Sequence, residues 1–482
     1  MEWNYDWFRN DLEEPYTTPK DKPFSWQGRM QVVGGRTNVW GRHSYRFSDL
    51  DFKSASYDGF GEDWPLSYAD VAPYYDLVED YVGIIGISEG VYELPDGRFQ
   101  PPMGFTCAET LLRNRVKDKL GRTVTLGRTA NLTRPLNGRA ACHYCGPCER
   151  GCITKSYFNS AFTTVADALE TGRCTLIPNA MVYKVLMDED RHRARGVLYI
   201  DRVTREAKEV YGRVVVLSAQ ALESARILFN SGSNQDPAGL ANSSGVLGHY
   251  LMDHLWVAGG AFAEFPEAVE PVVAGGPERP SGVYVIRFRN TRDQKDPRFL
   301  RGYGFQGEGG SSFNLRAPGY GEELKKKITD PRTSMRLVGF GECLPYHENF
   351  VELDPNVVDT FGIPVLKIHM AWGENEKKMI PDMADSAAEM MAAAGARNIQ
   401  PFAFMNRTPG FGIHEMGVAR MGRDPKTSVL SQYQQAWDVE NLFVMDAAGF
   451  TSGACQNPTL TIMALTVRST DYLLEEMKRG EL

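Results

Sequence analysis

The sequence has no run of ~18–20 apolar residues, which excludes a predicted membrane-spanning helix. Its opening stretch, Met1 to Lys22, is polar, aromatic and acidic, so it lacks the basic and then apolar pattern of a secretory signal. Clustered positive charge is scarce as well. The formal net charge is −8, and the run Lys325-Lys326-Lys327 reads as a solvated helix face. A nucleic-acid partner is therefore not expected. No low-complexity tract suggests disorder. Cysteines are too few and too unevenly placed for a disulfide framework: Cys107, Cys174, Cys343 and Cys455 are scattered, and the other four crowd between residues 142 and 152. A usable phosphate loop is missing too. The one G-x-G-x-x-G match, Gly302 to Gly307, follows polar Lys295-Asp296-Pro297-Arg298 and leads into Glu308-Gly309-Gly310-Ser311, with neither a buried strand before it nor a helix after it.

What is present is a long, mildly acidic chain of 482 residues, 42% hydrophobic and 11% aromatic, large enough for more than one buried core. Residues 1–27 read as irregular, because Pro15, Pro19 and Pro23 interrupt any helix. Ser67-x-x-Asp70 is a capping box ahead of Val71, Tyr74, Tyr75, Val78 and Tyr81 at near-helical spacing. Leu176 to Val185 and Ala194 to Ile200 read as strands. Val214 to Leu217 reads as a strand buried on both faces, followed by a helix over Ala221 to Asn230. Further on, strands are predicted over 283–288 and 364–370, and a helix over 374–394, closed by Gly395. The end of the chain reads as a short buried strand (442–445), a polar loop, and a helix over 459–477. The pattern is α/β at the middle and end, with strand-rich segments between.

Two residues near the C-terminus carry the chemistry. His414 lies in GIHEMGVARMG, and Asn457 lies in CQNPTLTIMAL 43 residues later, after the strand and acid Leu442-Phe443-Val444-Met445-Asp446. A histidine with an ordinary pKa of about 6.5 can accept a hydroxyl proton near neutral pH. A carboxamide does not titrate there but can hydrogen-bond the same oxygen and hold it in place. Asn457-Pro458-Thr459 also reads as an N-cap followed by proline at the first helical position. Separately, Gly34-Gly35-Arg36-Thr37-Asn38-Val39-Trp40-Gly41 is a loop whose paired glycines allow close approach to a ligand. The spacing Cys142-x2-Cys145-x2-Cys148-x3-Cys152 suits a tetrahedral metal such as zinc, or an iron–sulfur cluster, with ordinary thiols as the alternative.

The His-x-x-Gly segment, the asparagine that follows it and the strand–acid–loop between them together resemble the glucose–methanol–choline (GMC) oxidoreductases. The resemblance runs from within the first forty residues to the end. It implies a discontinuous Rossmann-like FAD-binding domain (26–50, 154–256 and 436–482), with a second α+β substrate domain formed by 51–153 and 257–435. It implies hydride transfer from an alcohol, sugar, polyol or sugar acid to FAD, with His414 as base and Asn457 as oxygen ligand. Gly34, Gly35, Thr37, Asn38, Trp40, Gly41, Val182, Asp446, Ala447, Pro458 and Thr459 would contact the cofactor. Trp40 stands where common members carry Asn, and is expected to narrow the substrate side. Some members carry an iron–sulfur cluster in a place comparable to Cys142–Cys152, which points to an electron-acceptor protein or small subunit. The family's N-terminal glycine-rich dinucleotide unit is expected to be absent here, and an export signal could be lost with it. The compartment stays open between cytoplasm and periplasm. An oxygen-using oxidase, a lyase on the same scaffold and a cofactor-free remnant acting as a binding subunit are the rival readings.

Overall fold

The computed structural model describes residues 5–190, 192–268, 270, 272, 278–313 and 317–482. Its largest sheet has six antiparallel strands in the order Arg397–Ala403, Leu255–Glu264, Arg332–Gly341, Tyr303–Ser312, Val283–Val285 and Val124–Leu126. The helix Glu374–Ala393 lies across it. Met379, Ile380, Met383, Ala387, Met390 and Met391 recur at three- and four-residue steps, and all six are buried. The contact is close because the sheet lacks side chains beneath the helix: a Cβ at Gly259 would stand 2.5 Å from the Ile380 carbonyl oxygen.

The second region is built from an antiparallel meander (Ala180–Met187, Ala194–Asp201, Ala207–Tyr211) and a parallel pair, Val215–Leu217 with Leu442–Val444. The helix Ala221–Asn230 follows the first strand of that pair. The last helix, Thr459–Arg479, packs on Tyr68–Val82, and Tyr75 and Thr461 share a hydrogen bond of 2.7 Å between them. The α/β class read from the sequence therefore holds, with parallel α/β pieces beside a larger antiparallel sheet.

Most elements fall where their patterns place them. The capping box is formed, with Asp70 Oδ2 accepting from the Ser67 amide at 2.8 Å. The Lys325–Lys327 run lies on the helix Gly321–Thr329, which has no buried residue. Gly302–Gly307 is no phosphate loop, since Tyr303 to Ser312 is a strand.

Three expectations need correction. The strand predicted from Leu176 starts at Ala180, and residues 173–179 are exposed and pair with no strand. The strand predicted over 283–288 ends at Val285, beyond which pairing with the Tyr303–Ser312 strand stops. Val214–Leu217 is not buried on both faces: Val216 is 45% exposed, so only one face of that strand is covered.

Candidate active site

His414 sits on a loop that three backbone hydrogen bonds hold in shape. The Asp253 carboxylate is fully buried and accepts from the amides of Gly410 (3.0 Å), Gly412 (2.9 Å) and His414 (3.0 Å). Gly412 cannot carry a side chain here, because its Cβ would lie 2.3 Å from Asp253 Oδ1. Burial and then the charge of Glu415 push the Asp253 carboxyl up to about 7, while the amides of His414, His254 and Gly412 pull the other way. Ile413, just before the histidine, has φ 57, a conformation that a β-branched residue adopts only under constraint. Arg36 supplies part of that constraint by donating to the Ile413 carbonyl at 3.0 Å.

Arg36 also joins the glycine loop to the histidine loop. It makes a two-point contact with Glu415, at 2.6 and 3.2 Å, and Gln220 at the start of the helix Ala221–Asn230 donates to the same carboxylate at 3.0 Å. Gly34 and Gly35 both have positive φ at the head of a short 3-10 turn, Gly35–Asn38. Thr37 and Asn38 are anchored on the next segment: the Ser160 amide donates to Thr37 Oγ1 at 3.1 Å, and Asn159 donates to Asn38 Oδ1 at 2.8 Å. Trp40 is held by donating to the Phe158 carbonyl at 2.9 Å, and Gly41 is exposed.

Asn457 approaches from the mouth of the last helix. Its Nδ2 is 3.4 Å from His414 Nε2, and its Oδ1 accepts from Gln306 Nε2 at 2.6 Å. The N-cap role expected of Asn457 is therefore corrected. Its carboxamide is turned to His414 and Gln306, and no side chain caps the helix at Pro458 and Thr459. An uncapped helix N-terminus presents free amides and partial positive charge to whatever lies before it.

On its other side, His414 Nδ1 is 3.0 Å from His254 Nδ1, and His254 Nε2 is 2.9 Å from the Ala454 carbonyl. Burial lowers His254 to about 4. His414 is pushed well below the ordinary value by burial first, and then by electrostatic interactions with His254, Arg36 and His43. Both rings are thus neutral at physiological pH. Such a pair can take up a proton from a hydroxyl placed between His414 Nε2 and Asn457 Nδ2.

The remaining sites are more dispersed. Asp446 is buried, accepts from Ser224 Oγ at 2.5 Å, and is pushed up to about 6 by burial. Ala447 is tied to the histidine loop, its carbonyl accepting from the Gly417 amide at 3.0 Å. Val182 lies on the strand Ala180–Met187, beside a narrow cleft with Glu223 and Arg226.

The four crowded cysteines do not form the expected metal site. Cys148 is buried, Cys145 exposed, and Cys142 and Cys152 half-buried, so the thiols sit at different depths. Burial pushes the Cys142 and Cys148 thiols up. Among the described residues, no three His, Cys, Asp or Glu side chains are gathered so as to hold a metal ion. The iron–sulfur and zinc readings are not supported by this arrangement. Also among the described residues, no helix is long and apolar enough to cross a membrane.

Sequence reasoning missed Asp253, His254 and Gln306. The first two had a signal, since a titratable pair stands inside the apolar stretch Leu251-Met252-Asp253-His254-Leu255. Gln306 had none, because it lies inside the rejected glycine motif.

This fold is shared with solved FAD-dependent oxidoreductases. Pyridoxine 4-oxidase from Mesorbium loti superposes with TM-score 0.58 at 15% identity, covering 92% of this chain and 84% of that one. An FAD-dependent oxidoreductase from Chaetomium thermophilum superposes at 0.54 and 14% identity, over 93% and 87%. At this identity the likeness concerns the fold alone. The chain belongs to the GMC oxidoreductase family: residues 17–256 and 345–466 match its N- and C-terminal models, both described as GMC oxidoreductase. It is 31% identical to 2-methyl-1,2-propanediol dehydrogenase of Mycolicibacterium austroafricanum, over 98% of this chain and 85% of the relative. It is 27% identical to the fructose dehydrogenase large subunit of Gluconobacter japonicus, over 94% and 82%.

Proposed function

We propose that this protein is an FAD-dependent dehydrogenase that oxidises a primary or secondary alcohol on a polyol, sugar or sugar acid. The observation that carries this reading is the convergence of His414 Nε2 and Asn457 Nδ2, 3.4 Å apart, at an uncapped helix N-terminus. The hydroxyl donates to His414 Nε2 and accepts from Asn457 Nδ2. His414 takes the proton as the carbon gives up its hydride. FAD, when bound, supplies the two-electron acceptor for that hydride.

The residues present fit the cofactor. The uncapped first turn of the last helix, which begins at Thr459 after Pro458, suits a ring that becomes anionic on reduction. The glycine loop, Ala447 and the histidine loop are joined through Arg36, Glu415 and the Gly417 amide. Gly34, Gly35, Thr37, Asn38, Trp40, Gly41, Asp446, Ala447, Pro458 and Thr459 are proposed to line the flavin, and Val182 to meet its adenosine half. The glycine-rich dinucleotide unit is not recognisable in this sequence, so retention of FAD by this chain is part of the proposal. The domain division at 26–50, 154–256 and 436–482 stands with it.

The relatives support the substrate class and are in keeping with an electron-acceptor route. Their names include dehydrogenases of a diol and of fructose, and one is a large subunit, which supports an electron-acceptor partner. The paromamine 6'-oxidase of Streptomyces fradiae, 26% identical, keeps the oxygen-using alternative in view. The test is the visible spectrum of the purified chain, followed by anaerobic addition of polyols and sugars with a dye acceptor. Flavin bands that bleach with substrate, and dye reduction, support the reading. Stoichiometric peroxide in air would assign an oxidase. A chain that takes up no flavin would leave the binding-subunit reading.

A further inference from the structure

The hydrogen bonds around His414 form one chain in which the direction of every donor is fixed. The Ala454 carbonyl can only accept, so His254 must carry its proton on Nε2. Burial keeps His254 neutral, which leaves its Nδ1 as a bare acceptor. His414 Nδ1, 3.0 Å away with the ring planes 86° apart, must then be the donor. A neutral His414 with its proton on Nδ1 has a lone pair on Nε2. At the far end, Gln306 donates to Asn457 Oδ1, which turns Asn457 Nδ2 toward that lone pair. All four bonds point the same way, from Gln306 to Ala454.

We infer that His254 is a positioning residue which, anchored on the Ala454 carbonyl, holds His414 in the tautomer whose Nε2 can accept the substrate proton. This rests on the reading of His414 as the base. Both ring nitrogens of His254 are engaged, one by His414 and the other by the Ala454 carbonyl, so it acts through His414. The device differs from a carboxylate behind a histidine. A neutral imidazole fixes the proton's position without adding negative charge, so it orients the base and leaves its low basicity in place. Ala454 is itself held at φ 55. The neighbouring Asp253 is committed to three loop amides and is not available for this task.

The experiment has two arms. Nitrogen NMR of the purified chain labelled at its 8 histidines, with His414 assigned by its loss in His414→Gln, reads the tautomer directly and needs neither cofactor nor substrate. The expected result is a proton on Nδ1 and none on Nε2. In His254→Phe the preference for Nδ1 should weaken and an Nε2-protonated fraction should appear, and in His254→Asn the proton should stay on Nδ1, because the carboxamide oxygen replaces the lost acceptor. In the second arm, His254→Phe should lower kcat about 100-fold with little change in KM, the scale of a general base put out of action, and His254→Asn should recover most of it. A wild-type Nε2 proton, or an Asn variant that folds yet behaves like Phe in both arms, overturns the inference. An Nδ1 proton in a protein that oxidises no alcohol would instead refute the proposed function and leave the positioning role standing.

Discussion

Gln306 Nε2 donates to Asn457 Oδ1 at 2.6 Å, and this one bond decides which end of the Asn457 carboxamide meets His414. Replacing Gln306 by Leu frees the amide to rotate and present its oxygen to the histidine. The expected outcome is a fall in kcat/KM of about tenfold, the equivalent of one ordinary hydrogen bond, with unchanged thermal stability. Steady-state kinetics beside a melting curve check it, and an unaltered kcat/KM argues against any steering by Gln306.

His414→Ala removes the proposed base. Turnover should drop by about 10²–10⁴-fold while the fold persists. Single-turnover bleaching of the flavin by substrate measures the step itself. If that rate stays near wild type, the proton goes elsewhere.

The pH dependence follows from the direction of the His414 shift. Its pKa is pushed well below 6.5 by burial and nearby positive charge. Protonation inactivates a base, so a depressed pKa keeps the enzyme competent at lower pH. The acid limb of kcat/KM should therefore lie below about pH 6.5, with a plateau through neutrality. A profile that halves near pH 7 or above would contradict a base in this environment.

Arg36 holds a carboxylate whose side chain is fully buried, Glu415, at 2.6 Å. Arg36→Met leaves that charge without its cation. A loss of about 3–5 kcal/mol in unfolding free energy is expected, as for other broken buried pairs. The double variant Arg36→Met, Glu415→Leu should regain part of it. Chemical denaturation of both proteins gives the comparison.

Asp253→Ala strips the acceptor from the buried amides of Gly410, Gly412 and His414. Leaving three donors unsatisfied should cost about 3 kcal/mol or more. The loss should be smaller at high pH. The Asp253 pKa is raised to about 7 in the folded chain, so the stability its carboxyl contributes is complete below about pH 4 and declines as pH rises through about 7. Denaturation of wild type and variant from about pH 5 to about pH 8 tests the trend.

The sequence by itself determined what depends on near neighbours along the chain. Capping at Ser67, the helix Ala221–Asn230, the last helix and the spacing of His414 and Asn457 all follow from local pattern and motif. Only the tertiary structure decided which groups surround that pair. Gln306 arrives on a strand 151 residues before Asn457, and His254 lies 160 residues before His414, so no local periodicity joins them. The same holds for the cysteines. Their spacing shows that four thiols are near in sequence, but the folded loop decides whether they can share a ligand, and among the described residues no three are gathered to hold a metal ion. Tautomers, amide orientation and ligand geometry are properties of contacts between distant segments, and those contacts exist only once the chain has folded.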